Sequence, residues 1–135
     1  AKLVHEIADK FYSTKPDGLC GNEDLGQMSA WYVLSSMGFY SVNPANGIYV
    51  LGSPLMNSAT INHKNGLSFK MTAIDYSKEN KYIQKAEYNG KPYTNSYITH
   101  NMITKGGELK LYMGSAPSVT WGVNKEDRTV ICRLK

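Results

Sequence analysis

The sequence predicts an α+β fold: two helices followed by an antiparallel, sandwich-like β segment. Three observations predict it. Apolar residues recur at helical spacing up to Gly38, beyond it come short runs rich in Tyr, Ile, Val and Thr, and Asn-Gly, Gly-Gly and Pro punctuate those runs. The change of period near Gly38 to Pro44 sets the expected division, with residues 1–40 helical and residues 41–135 a β segment packed on them as one compact unit.

In the first segment Leu3, Ile7 and Phe11 recur one turn apart, with Val4 and Ala8 beside them and Lys2, Glu6, Asp9 and Lys10 elsewhere, which predicts an amphipathic helix. Its stop is "STKPDG", because proline disfavours helix in the residue before it and Asp-Gly suits a turn. A second helix is expected from about Leu25 to Met37. It is apolar almost all round (Met28, Ala30, Trp31, Tyr32, Val33, Leu34, Met37), a composition that calls for burial on most sides, and this chain holds too few helices to supply it. Gly38 ends it by taking the left-handed position after the last turn. Strands are then expected in "GIYVLGSP", "SATINH", "LSFKMTAID", "YIQKAEYNGKPYTNSYITH", "GELKLYMG", "VTWGV" and "TVICRL". The clearest hairpin, Ile83 to Glu87, turns at Asn89-Gly90, since Asn-Gly accepts the positive φ angles of a type I′ turn. Gly106-Gly107 reads as another hairpin turn, too short a motif to cradle phosphate.

With 135 residues, 41% hydrophobic and 19% charged, the chain should fold as one domain or a large piece of one. The formal charge of +4 comes from dispersed lysines, which argues against nucleic acid as a partner, and no apolar run reaches the ~20 residues that span a bilayer. Cys20 and Cys132 could pair in an oxidising compartment, but the expectation is two free, buried thiols; without CxxC or a Cys/His cluster a structural zinc has little support. There is no initiator Met and no charged-then-apolar leader, and the sequence opens inside a helix, so it is expected to be cut from a longer chain.

The stretch that bears on chemistry is "GNEDLGQ" before the second helix. Asp24 and Gln27 fit a capping box, in which each side chain bonds the other residue's backbone N–H, and an N-cap Asp is worth about 1 kcal/mol over Ala. One cap needs one acceptor, however, and Asn22 and Glu23 stand beside Asp24 on other faces. They could point to solvent or into a cleft at the helix N-terminus, where backbone N–H groups keep a carboxylate ionised and able to take a proton from water. Spacing alone leaves both readings open. His5 on a surface helix, His63 before the Asn65-Gly66 turn and His100 at a strand end lack a nucleophile partner and read as structural. Trp31 and Tyr32 read as core, and the many strand tyrosines as ordinary β residues.

The segment "PDGLCGNEDLGQMSAWYVLSSMGFYSVNP" closely resembles the signature of glycoside hydrolase family 92, the calcium-dependent α-mannosidases, whose G-[ND]-[ED]-D-x-G-Q-x-S-A-W-Y core is followed by GFYPVNP. "YVLGSPL", "NKYIQKAEYNGKPYTNSYITH", "GGELKLYMGSAP" and "WG" follow in the family's order, so the resemblance runs from about Phe11 to Gly122. It implies a large secreted or periplasmic enzyme with a β-sandwich domain ahead of an (α/α) barrel, this chain being the C-terminal end and its two helices the last of the barrel.

The resemblance also implies an exo-acting, inverting hydrolase of α-mannosidic linkages in mannose-containing glycans. In that mechanism one carboxylic acid protonates the leaving oxygen while a carboxylate ~6.5–9.5 Å away activates water. Carried over by motif, Asp24 is the base, Asn22 lines the same water site and Glu23 adjoins it. Some relatives carry Asp where Asn22 stands, and an amide cannot act as base, so the role falls to Asp24. By the same resemblance the general acid and most calcium ligands are expected in parts of the enzyme outside this chain; no metal ligand is assigned here, and the isolated chain is expected to be inactive. Two other classes remain: a stand-alone carbohydrate-binding β-sandwich module, and a structural or interaction fragment with a sticky apolar face.

Overall fold

A computed structural model describes residues 1–129 of the chain. Helices α1 (Lys2–Phe11) and α2 (Gln27–Ser36) come first, followed by strands β1 (Phe39–Tyr40) and β2 (Ile48–Leu51) with a 3-10 turn at Pro44–Asn46 between them. Strands β3 (Ser58–Asn62), β4 (Ser68–Ile74), β5 (Tyr82–Tyr88), β6 (Lys91–Pro92) and β7 (Tyr97–Thr99) lead to helix α3 (His100–Lys105) and strand β8 (Gly107–Gly114). The α+β class holds. "TVICRL" falls almost wholly outside the described residues, as does Cys132.

The strands form two sheets, a three-stranded one in the order β1-β2-β7 and a five-stranded one in the order β3-β4-β8-β5-β6. Period-two patterning explains the second: Phe69, Met71 and Ala73 of β4 and Leu109, Leu111 and Met113 of β8 point inward, while Lys70, Glu108 and Lys110 face out. The core lies between the sheets, where Phe39, Leu51 and Ile98 of one meet Phe69, Met71 and Leu111 of the other, with Ile103 of α3 packed in. Each such side chain, fully buried, contributes about 1.5–3 kcal/mol of transfer free energy.

Several expectations need correction. The β segment is not purely antiparallel, because β4 and β8 pair in parallel, Phe69 opposite Gly107 through Ile74 opposite Tyr112. A parallel pair requires a crossover, and β5 to α3 provide it. Gly106-Gly107 is therefore no hairpin turn but the junction of α3 with β8. Gly106 sits at φ 78°, and a Cβ there would lie 2.6 Å from the Ser68 carbonyl oxygen, so the close passage of β4 demands glycine. "VTWGV" forms turns rather than a strand: the Ser118 hydroxyl accepts the amides of Thr120 and Trp121 at 3.2 and 2.9 Å, which consumes the donors a ladder would use. The hairpin at Asn89-Gly90 is present, with φ of 50° and 76°.

The helices also differ from their sequence reading. The α1 stripe of Leu3, Ile7 and Phe11 faces outward, with Leu3 70% exposed, and the opposite face packs inward. Leu34 of α2 and Met37 at its C-terminal cap pack against the core, whereas Tyr32 and Val33 (55% exposed) do not, and Trp31 is partly buried but outside the core cluster. Gly38 takes the left-handed position after α2, at φ 88°. Cys20 is exposed rather than buried.

His5 is no surface residue. It is 8% exposed, and its Nε2 lies 2.6 Å from the Ser53 hydroxyl, tying α1 to the loop after β2. Burial first, then the Lys81 ammonium, push its pKa below 6.5, against the opposing pull of Asp9. The folded pKa lies below the unfolded one, so unfolded chain binds more protons and stability falls as pH drops from about 6.5 toward the folded value. The urea midpoint is expected to fall between about pH 7.5 and 5.5, and His5→Gln to flatten that slope; equal slopes would rule out His5 as its source.

Candidate active site

Helix α2 begins at a turn built almost without buried side chains: Asn22, Asp24, Leu25 and Gln27 are exposed, Leu25 at 94%. Hydrogen bonds hold it. Gly26, left-handed at φ 76° and ψ 17°, immediately precedes Gln27, and its amide donates to the Glu23 carbonyl oxygen at 3.2 Å.

Glu23, not Asp24, caps the helix. Its carboxylate accepts the amide of Met28 at 2.8 Å and that of Ser29 at 3.0 Å, two of the donors that a helix start leaves without partners. The capping box thus fails on Asp24. The left-handed Gly26 sets the helix start two residues past the expected frame, so Gln27 is the first helical residue and Glu23 is the acid brought under the exposed amides. The Ser29 hydroxyl, together with the amides of Ser29 and Met28, holds the Glu23 carboxyl below its usual value against a smaller opposing effect of desolvation.

Asp24 is left free. The turn's hydrogen bonds run to Glu23 and Gln27, and the exposed Asp24 carboxylate takes part in none of them. The three expected site residues, Asn22, Glu23 and Asp24, therefore share one turn but divide its work. Two oxygens serve the helix and two face outward, available to a water molecule or to a bound polar group.

Beside the turn, Tyr12 donates its hydroxyl to the Met28 carbonyl oxygen at 3.2 Å, and its ring stacks on Tyr32 at 4.7 Å and on Trp31 at 5.5 Å. Tyr12, Thr14, Leu19, Ser29 and Tyr32 line a cavity of about 360 Å³ there. Burial, then the neighbouring Cys20 and Glu23, raise the Tyr12 pKa, so the phenol remains a neutral donor. Each of the three histidines has its own partner: Ser53 for His5, the Ile103 carbonyl oxygen for His63 at 2.7 Å, and Tyr49 for His100 at 3.3 Å. Sequence reasoning missed the Glu23 cap and the two hydrogen bonds of Gln27; the glycine directly before the helix was the signal for the first.

Calcium is implied by the family resemblance, and the residues present do not fit a site of their own. Hard cations take six to eight oxygen ligands, and among the described residues no group of three His, Cys, Asp or Glu side chains converges.

Residues 1–115 match the Glycosyl hydrolase family 92 catalytic domain, and the chain belongs to that family. It is 40% identical, at a TM-score of 0.87, to a family GH92 α-mannosidase from Bacteroides thetaiotaomicron whose structure was solved with mannoimidazole; the match covers 93% of this chain and 17% of that one. A family GH92 inverting mannosidase from the same species is 41% identical at a TM-score of 0.87, over 95% of this chain and 17% of that one. An uncharacterized secreted glycosidase of Arthroderma benhamiae is 32% identical over 130 residues, 94% of this chain and 17% of the relative. The chain thus spans about a sixth of the length of the relatives it matches. Among the described residues no helix is long and apolar enough to cross a membrane.

Proposed function

We propose that this chain is the C-terminal portion of an exo-acting α-mannosidase that hydrolyses α-mannosidic linkages of mannose-containing glycans with inversion, and that it supplies the base side of the site. The observation that carries the reading is the division of labour at the turn: Glu23 is committed to the helix amides, which leaves Asp24 as the carboxylate free to act. The names of two similar structures, an α-mannosidase and an inverting mannosidase, support the substrate class and the stereochemistry.

In the reaction water adds to the anomeric carbon from the face opposite the leaving group. As the new C–O bond forms, Asp24 takes the water proton; as the glycosidic bond breaks, a carboxylic acid from another part of the enzyme protonates the departing oxygen. The Asn22 amide can orient that water but cannot accept its proton. Calcium, if present in the whole enzyme, is held mainly by residues outside this chain, and no step above depends on it. The apolar stripes of α1 and α2 fit a surface covered by the rest of a helical barrel. The proposed location is extracellular or periplasmic; a relative described as secreted supports secretion.

NMR of early time points tests the reading. The full-length enzyme acting on an α-mannoside should release β-mannose first, and the isolated chain should release nothing. Initial α-mannose, or turnover by the chain alone, would overturn it.

A further inference from the structure

Gln27 grips the backbone on both sides of Asp24. Its Nε2 donates to the carbonyl oxygen of Asn22 at 2.5 Å, and its Oε1 accepts the amide of Leu25 at 3.2 Å. The two anchor points flank the free carboxylate in sequence. The task requires one donor and one acceptor at the end of one side chain, which a neutral amide provides and an ionised carboxylate or an ammonium does not. Within the described residues no packing substitutes for it, because the turn's side chains are largely exposed.

We propose that Gln27 is a positioning residue: its amide clamps the segment from Asn22 to Leu25 and so fixes where Asp24 presents its carboxylate. The inference rests on the reading of Asp24 as the base. Glu23 and Gln27 then do separate jobs, the first securing the helix start and the second securing the loop that leads into it. Glu23 holds the middle of this loop through the helix amides, and the Gln27 bonds hold the residues on either side of it; losing the latter can shift Asp24 by an ångström, and a misplacement of that size costs on the order of 100-fold in rate.

The test uses the full-length enzyme with variants Asp24→Asn, Gln27→Leu and Gln27→Glu, measuring kcat and KM on an aryl α-mannoside at temperatures where circular dichroism shows each variant folded. Gln27→Leu should lower kcat about 10–100-fold with KM within about twofold, since the reacting atoms rather than sugar binding are misplaced. Gln27→Glu adds a signature that a purely structural role would not produce. An ionised carboxylate at position 27 repels the Asn22 carbonyl oxygen, whereas a protonated one can donate there and accept from Leu25 as the amide does. Its kcat relative to wild type should therefore be low at neutral pH and recover as pH falls through about 4.3, the ordinary glutamate value. If Asp24→Asn is inactive while Gln27→Leu keeps wild-type kcat, or the Gln27→Glu ratio is flat with pH, the positioning role alone falls. If Asp24→Asn keeps full turnover, the base assignment falls and this inference with it.

Discussion

Replacing Asp24 by Asn in the full-length enzyme is expected to lower kcat by about 10²–10⁴-fold, the range that general base catalysis supplies, while leaving thermal unfolding unchanged. The two side chains have the same shape, and the Asp24 carboxylate takes part in none of the turn's hydrogen bonds, so the fold loses nothing. What disappears is the ability to take a proton from water. KM should change little, because the missing interaction belongs to the transition state. Glu23→Gln provides the contrast: one carbonyl oxygen still accepts a helix amide, so its effect should fall mainly on the stability of the α2 start. A variant at Asp24 that unfolds, while its folded fraction turns over normally, would return Asp24 to a structural role.

Phe69→Ala should cost about 3–5 kcal/mol in urea unfolding, the range for deleting a large buried aromatic side chain. Phe69 is 1% exposed, and its ring meets that of Phe39 edge-on at 6.4 Å and 82°, joining the five-stranded sheet to the three-stranded one. Its partner across the parallel pair is Gly107, which has no side chain to move into the vacated space. On the other side β3 offers Ile61, whose strand is at the sheet edge. The cavity should thus stay largely open, which places the loss toward the upper end. Phe69→Leu should recover much of it. A loss below about 1 kcal/mol for Phe69→Ala would mean that the sheets are not held together through this ring.

Much of the fold was legible because its signals are local. Alternation in "SFKMTAI" and "ELKLYM" marks β4 and β8, Asn89-Gly90 marks a hairpin, and Gly38 marks the end of α2. Their partners were not legible. Alternation looks the same in a parallel and an antiparallel neighbour, so the β4–β8 pairing was out of reach, and α3 is only six residues long, too short to show a helical period. His5 was misread for the opposite reason: the apolar stripe of α1 suggested which face turns inward, and in this chain that face turns outward. At the candidate site the motif named Asn22, Glu23 and Asp24, and the structure places all three in one turn ahead of α2. Which acid caps the helix depends on one left-handed glycine, whose effect on register is three-dimensional.

The parallel pairing at the centre of the larger sheet carries a kinetic consequence. Until β8 arrives, β4 has only β3 as a neighbour and β5 only the two residues of β6, so the sheet exists as two separate hairpins with bare inner edges. Among the described residues, the strand that joins them is the last to be synthesised. Loop closure across β5 to α3 must therefore precede most of the reward in buried surface, which makes folding slow and late on the ribosome. During that interval the inner edge of β4 is the place where a second nascent chain could pair wrongly.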